Sequence, residues 1–332
     1  MTMMTRVAPH SMIPGLLSPI FQKVPFRETL AEVTRFGKRG DDILYQPTVS
    51  RINTPTSIGQ QWRGDVDAVD YSLSQISFPY YTIMARQEYD PNQEAKFERL
   101  VTGIGLKTFL DKLCKQGIYQ REHYACLFGF DGSSQGLVNQ GTATNLPNDS
   151  AGHSTIQTYL VPELVANLAA QARAVMTASY NMAKPTVVAG PVNFINYLQS
   201  VIVPLTTNQA NGGGVQSIAG TYGKIVGEWL GVGPIKWIAD DALVGKGANG
   251  VDAVLFIAPG LSEQEAGQPE NTNLVAESLE QNMRNTFMDM VDGLKEFNNP
   301  IVNGINSSLY SLQTTSGAVI RTEAVRVVSY TF

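Results

Sequence analysis

"YDPNQEAKFERLVTGIGLKTFLDKLCKQGIYQREHYACLFGFDGSSQGLVNQ", residues 89–140, is the stretch whose reading decides the fold. It opens on a helix start. Asp90 stands at the N-cap position, Pro91 at the first helical position, and Gln93 three residues after the cap, where a capping-box partner belongs. Phe97, Leu100, Val101 and Ile104 follow at helical spacing, and Phe109, Leu110 and Leu113 continue the series. The apolar stripe shifts around Gly103 and Gly105, which predicts a bend there. From Pro91 to about Cys126 such a helix measures ~50 Å at 1.5 Å per residue. That is long for a core helix and reads as a spine across which other elements lie.

The end of the same stretch raises a question of chemistry. Gly132-Ser133-Ser134-Gln135-Gly136 spells G-x-S-x-G, the pattern of a serine-hydrolase nucleophile elbow. An elbow needs a strand before the serine, a helix directly after it, and an acid and a histidine later in the chain. Leu137 to Pro147 reads as turn chemistry and not as a helix. The three histidines are His10, His123 and His153, so no histidine follows position 153. Ser134 is read as part of a glycine turn, and the hydrolase reading is set aside.

Upstream, the chain has prolines at 9, 14, 19 and 25 and little sustained periodicity over residues 1–45. One short amphipathic segment, "RETLAEVTRFGKRG", interrupts it and ends at Gly37 and Gly40 with basic residues in its last turn. Such an arm has no core of its own and must be disordered or docked elsewhere. Residues 46–89 read as an extended hairpin. Val66, Tyr71 and Leu73 lead to Ile76, Phe78 and Tyr80, then Tyr81, Ile83 and Ala85, with "SIGQQWRGD" at the tip. A two-stranded ribbon is marginal alone in water and calls for a packing partner.

Downstream, residues 155–260 alternate helical and strand patterns. "VPELVANLAAQARAVM" and "GPVNFINYLQSVI" are helical, and "KPTVVAG", "GPIKWIADD" and "DAVLFIAPG" are buried-type strands. The order predicts an α/β domain with a mixed or partly parallel sheet. "VGKGANG", 244–250, lacks the first glycine and the final Ser or Thr of a phosphate loop and reads as a turn. Asp240-Asp241 is a carboxylate pair at a strand end, read as a solvated turn with a helix cap at Asp241. Over 271–332, Leu274, Leu279, Met283, Phe287 and Met290 suit a helix or an irregular packed segment. Ala318–Ile320 and Val325–Val327 alternate like closing strands.

Composition bears on partners. The 332 residues are 43% hydrophobic with a mean hydropathy of −0.08, and no apolar run approaches the ~18 residues of a membrane span. The N-terminal prolines fall where a signal peptide would carry its apolar run, so the chain reads as soluble and cytoplasmic at synthesis. Cys114 and Cys126 fit neither a metal spacing nor a disulfide framework. Charged residues are 16%, against roughly 25% in typical soluble proteins. Interface cores are depleted of charge in the same way, which points to extensive self-association. The net charge of −5 is uneven. Arg6, Lys23, Arg27, Arg35, Lys38 and Arg39 against Glu28 and Glu32 leave residues 1–40 at +4. A basic arm on an acidic body suits nucleic acid or the acidic face of a neighbouring subunit.

The succession of arm, ribbon, spine helix, glycine turn, α/β domain and terminal strands resembles the major capsid proteins of tailed bacteriophages, the Hong Kong ninety-seven-type shell fold shared with encapsulins. The stretch at 89–140 looks like that family's spine helix running into its turn, here Gly136-Leu137-Val138-Asn139. "KPTVVAGPVNFINYLQ" looks like a unit of its axial domain, and "TTSGAVIRTEAVRVV" like its closing peripheral strand. The resemblance implies an α+β, phage-capsid-type fold: arm at 1–45, extended β-hairpin loop at 46–89, and peripheral domain with spine helix at 90–154. An axial α/β domain at 155–270 and a return to the peripheral domain at 271–332 complete it. It further implies a virion shell of pentamers and hexamers enclosing double-stranded DNA by non-specific proximity, made in the host cytoplasm. Scaffolding, portal and decoration proteins would be its other partners, with no membrane, cofactor, metal or catalytic residue. The rivals are an encapsulin compartment around a cargo protein, and an α/β enzyme using Asp240, Asp241 or Ser134.

Overall fold

The computed structural model describes residues 30–53, 70–100, 105–130, 134–203, 216–261, 284–302 and 305–332. Two compact units share them. The larger comprises Pro25–Thr82, Glu122–Gly293 and Gln313–Phe332, and the smaller includes Ile83–Arg121 and Leu294–Leu312.

The described chain begins buried, with Leu30 and Ala31 inside the core, and forms strand β1 at Glu32–Thr34. This corrects the helix-like reading of residues 27–40. Their apolar residues serve a short strand parallel to a distant partner, and tertiary hydrogen bonds outweigh local helical spacing. β2, Ile43–Asn53, pairs antiparallel with β3, Asp70–Tyr89, in register from Ile43↔Pro79 to Asn53↔Asp70 with an irregularity between Val49 and Arg51. The ribbon therefore exists, but with other strands than the pattern suggested. Residues 70–89 are one strand, its partner begins at Ile43, and the expected tip, 57–65, lies outside the described residues.

The spine is present in two segments, α1 at Pro91–Leu100 and α2 at Leu106–Phe128. The capping box at its start is formed in both directions: Gln93 N–H donates to Asp90 Oδ1 at 2.7 Å, and Asp90 N–H to Gln93 Oε1 at 3.2 Å. Gly105 precedes α2, where the stripe shift predicted a bend, and α2 itself runs ~35 Å.

Beyond it come α3 (Leu137–Gln140), β4 (Thr142–Asn145), α4 (Val161–Ala178), β5 (Val187–Gly190) and α5 (Val192–Ser200). The two-residue strands β6 (Ile202–Val203) and β7 (Gln216–Ser217) follow, then α6 (Ile218–Tyr222), which continues as a π-helix over Gly223–Trp229. β8 (Lys236–Ala239), β9 (Asp252–Ile257) and β10 (Thr286–Asp289) precede the hairpin of β11 (Lys295–Val302) and β12 (Ile305–Thr315). β13 (Ala318–Val319) and β14 (Val325–Tyr330) close the chain. Phe287 and Met290, read as part of a helix or irregular segment, lie in and next to extended β10.

The larger unit is built on a mixed sheet of order β4-β14-β9-β5-β8, in which β5 runs parallel to β8 and antiparallel to β9. The closing strand β14 lies inside this sheet, antiparallel to β9 and parallel to β4. Strand alternation sends Val188, Val254, Phe256 and Val328 to one face, against Leu164 and Leu168 of α4, Phe194 of α5 and Tyr222 of α6. Val187, Ala189, Leu255 and Val327 go to the other, against Leu127, Leu137 and Leu30. Covered on both faces, β9 is buried at five of its six positions, which explains its unbroken apolar run. Each such side chain contributes about 1.5–3 kcal/mol.

In the smaller unit β11 and β12 pair antiparallel, from Lys295↔Ser311 to Val302↔Ile305, with β12 bordering β3. Tyr310 of β12 is fully buried, its hydroxyl hydrogen-bonded to Asp111 of α2. Burial first, then that carboxylate, raises its phenol well above the ordinary tyrosine range.

Candidate assembly surface

Three distant chain segments meet on one carboxylate in the larger unit. Asp289 of β10 is fully buried. Its Oδ1 accepts from Thr34 Oγ1 at 2.5 Å and from the Phe36 N–H at 2.8 Å, and its Oδ2 from the Gly37 N–H at 3.1 Å and the Tyr80 hydroxyl at 2.6 Å. A buried carboxylate is tolerable only with such a set of donors. The same residue fastens to the C-terminal part of the chain: its N–H donates to Thr315 Oγ1 at 2.9 Å, and its carbonyl accepts from Thr314 Oγ1 at 3.0 Å. Desolvation, followed by the hydrogen bond to Asp289, raises the Tyr80 phenol far above its usual range. Position 37 must be glycine, because an added Cβ would lie 2.0 Å from the Tyr80 hydroxyl oxygen. The start of the described chain, the ribbon and β10 are thus one mechanical joint, which no local sequence signal marks.

Around this joint the surface is apolar. Phe36, Ile43 and Tyr45 are 44%, 41% and 55% exposed. The Arg284 guanidinium lies 5.6 Å from the Phe36 ring centroid, with its Nε 2.5 Å from Glu32 Oε2. A cavity of ≈ 230 Å³ opens here, lined mainly by Phe36, Leu44, Tyr45, Pro47, Phe287 and Ile320. Elsewhere on the unit, Tyr180 and Trp229 are 89% and 70% exposed. Exposed aromatics of this kind are enriched where proteins associate.

The glycine turn has a structural task. Gly136 adopts φ 111°, and a Cβ there would lie 2.5 Å from the Gly129 nitrogen and the Phe128 carbonyl carbon. Asn139 Nδ2 donates to the Phe128 carbonyl at 2.7 Å and so caps the end of α2, while Leu137 is buried in the core. Gly136 N–H donates to the Gly317 carbonyl at 2.8 Å. Ser134 is exposed, and the element before its turn is helix α2, not a strand. The four-residue helix α3 does follow, contrary to the expectation of turn alone, because the Asn139 bond winds the chain back onto α2. Among the described residues no hydrogen bond joins Ser134 to a histidine. His10 lies outside them.

The other candidates serve the fold as well. Asp240 is 2% exposed, not solvated as expected: its Oδ2 lies 2.7 Å from Nε2 of buried His123, and its Oδ1 accepts from the Ala242 N–H. Asp241 Oδ1 accepts from the Val192 N–H at 2.9 Å, capping α5 and not the turn it belongs to. The segment 244–250 is a turn with Gly245, Asn249 and Gly250 at positive φ. His153 Nδ1 is 2.8 Å from Asp149 Oδ2, and Asp149 also accepts from the Ala151, His153 and Leu160 N–H groups. Burial opposes ionisation of Asp149, but the His153 ring and the Leu160 and His153 amides outweigh it and lower the carboxyl to about 2. Cys126 is buried and Cys114 half-buried, both as thiols. The described residues contain no cluster of three metal-ligating side chains and no helix long and apolar enough to cross a membrane.

No protein-family model and no curated protein matches the chain. Solved structures do. A chain of the capsid of Myoviridae phage XM1 is similar over 97% of this chain and 96% of its own, with TM-score 0.71 at 12% identity. A chain of Mycobacterium phage Che8 is similar over 98% of each, with TM-score 0.58 at 14% identity. The capsid of a native GTA particle gives TM-score 0.54 at 12% identity, over 98% of this chain and 96% of that one. The likeness is one of fold. It extends through arm, ribbon, spine and α/β elements alike, and this chain has the α+β fold of phage capsids.

Proposed function

We propose that this protein is the major shell protein of a tailed-phage head, assembling as pentamers and hexamers into a closed capsid around double-stranded DNA. The observation that carries the reading is the end-to-end likeness to chains built into capsids, with no further domain left over. The low charge, the ribbon and the exposed aromatics around Phe36, Tyr180 and Trp229 support it, since each gains a partner in a shell of identical copies. Nothing favours a cargo compartment or an enzyme, and Ser134, Asp240 and Asp241 have the structural uses described. In this reading 1–45 is the arm, 46–89 the loop laid on a neighbour, and 90–154 with 271–332 the peripheral region around an axial domain at 155–270. Scaffolding, portal and decoration proteins would act on the assembling shell, and the mature protein resides in the virion.

Size-exclusion chromatography with light scattering, followed by negative-stain imaging of the excluded peak, tests the reading. Particles hundreds of ångströms across, or discrete pentamers and hexamers, are expected. A 36 kDa monomer that persists at high concentration with scaffolding protein present overturns it.

A further inference from the structure

The cavity beside Phe36 is apolar on its walls, and its one cation is already paired. Phe36, Leu44, Pro47, Phe287 and Ile320 form the walls. Arg284 at the rim is neutralised by Glu32 and set over the Phe36 ring, so the site suits an uncharged occupant. At ≈ 230 Å³ it is smaller than the ~300–1,000 Å³ of small-molecule sites and matches one or two side chains.

The chain itself arrives at this place. The described residues begin at Leu30, whose carbonyl accepts from Thr286 Oγ1 at 3.3 Å. Two residues later Glu32 stands in register with Phe287, a wall of the cavity. The 29 residues that precede Leu30 therefore depart from beside it. Within them, Val7–Gln22 contains no charged residue, and Ile13, Leu16, Leu17, Ile20 and Phe21 alternate with prolines at 9, 14 and 19. Those prolines deny the segment a regular helix or a central strand, so its apolar side chains must find a surface made by other residues. Nine residues separate Phe21 from Leu30, a reach of up to ~30 Å.

We propose that the segment Ile13–Phe21 docks on its own subunit in this cavity, with Ile20 and Phe21 as the inserted anchors. Docking covers the exposed faces of Phe36 and Tyr45 in the free subunit, and a partner using that surface must first displace the segment. The proposal rests on the cavity and the chain entry, not on the shell reading, so either can fail alone.

The test uses the dilute full chain and a fluorescent peptide of residues 7–26. The wild-type subunit should bind the peptide poorly, because its own segment competes at high effective concentration. A full-length I20E/F21E variant should bind it at least tenfold more tightly. Adding Ile320→Glu to that variant should abolish the gain, with thermal melting checking that the fold persists. Equal peptide binding by wild type and I20E/F21E, or none by either, overturns the proposal. So does binding that survives Ile320→Glu in the folded triple variant. If wild-type exclusion of the peptide appears only on raising the subunit concentration, the segment belongs to a second copy and docking on its own subunit is refuted.

Discussion

Tyr80 and Asp289, 209 positions apart, share a 2.6 Å hydrogen bond whose geometry leaves no room for a side chain at position 37. The phenol donates to a carboxylate that also holds the Thr34 hydroxyl and two backbone amides. Gly37→Ala should therefore cost about 1–3 kcal/mol by overpacking. The same change in a Tyr80→Ala background should cost clearly less, because the clashing ring is gone. Thermal or denaturant melts of the four proteins give the coupling. Strict additivity would mean that the joint does not act as one unit.

His123 and Asp240 face each other at 2.7 Å with side chains only 3% and 1% exposed. Removing one partner strands the other in the core. His123→Ala should lose about 3–5 kcal/mol, seen as a lower melting midpoint. Ser134→Ala, at an exposed position, should leave both melting and any esterase background unchanged.

Asp149 gives the fold an acid-sensitive point. Its carboxyl titrates at about 2 in the folded chain, below the ordinary 3.8, so the unfolded chain binds its proton first as pH falls. The stabilisation is present in full above about pH 4 and disappears as pH drops towards 2. Subtracting the melting curve of Asp149→Asn from that of the wild type across pH 2–6 should reveal a difference that shrinks over this window. A difference independent of pH would contradict the assignment.

Asn139→Ala should cost about 1 kcal/mol, because the Phe128 carbonyl at the end of α2 loses its donor. The loss should appear in amide exchange over 124–129 before it appears in global melting. Unchanged exchange there would show that water replaces the cap at no cost.

The arm can be removed only up to a limit that the structure sets. Deletion of residues 1–28 should leave a folded subunit with impaired closure of shells. Deletion of 1–40 also removes Leu30, Ala31 and β1 and should destabilise the subunit itself. Circular dichroism melts, with particle counts by negative stain, separate the two outcomes. Equal stability of both truncations would mean that β1 is dispensable.

The legible elements are those whose cause lies within a few residues. Asp90, Pro91 and Gln93 announce a helix start because a capping box closes within one turn. "DAVLFIAPG" reads as a buried strand because both of its faces are covered. Gly136 is legible as a backbone requirement, although its contact with Phe128 is not. Ile43–Asn53 was harder to read, since Pro47 interrupts a strand that tolerates it only by standing at the edge of its sheet.

What the sequence alone determined, then, is the set of parts and their order: arm, ribbon, broken spine, glycine turn, α/β strands and closing strands. Tertiary structure decided which parts touch. It inserted β14 beside β9, made Glu32–Thr34 a strand by pairing it with β10, and turned Asp240 inward to His123. It also gathered Thr34, Gly37 and Tyr80 around Asp289, more than 200 residues away. Periodicity and capping are local and survive in the linear chain. A buried carboxylate finds its donors only after the chain has collapsed, and nothing near position 289 names them.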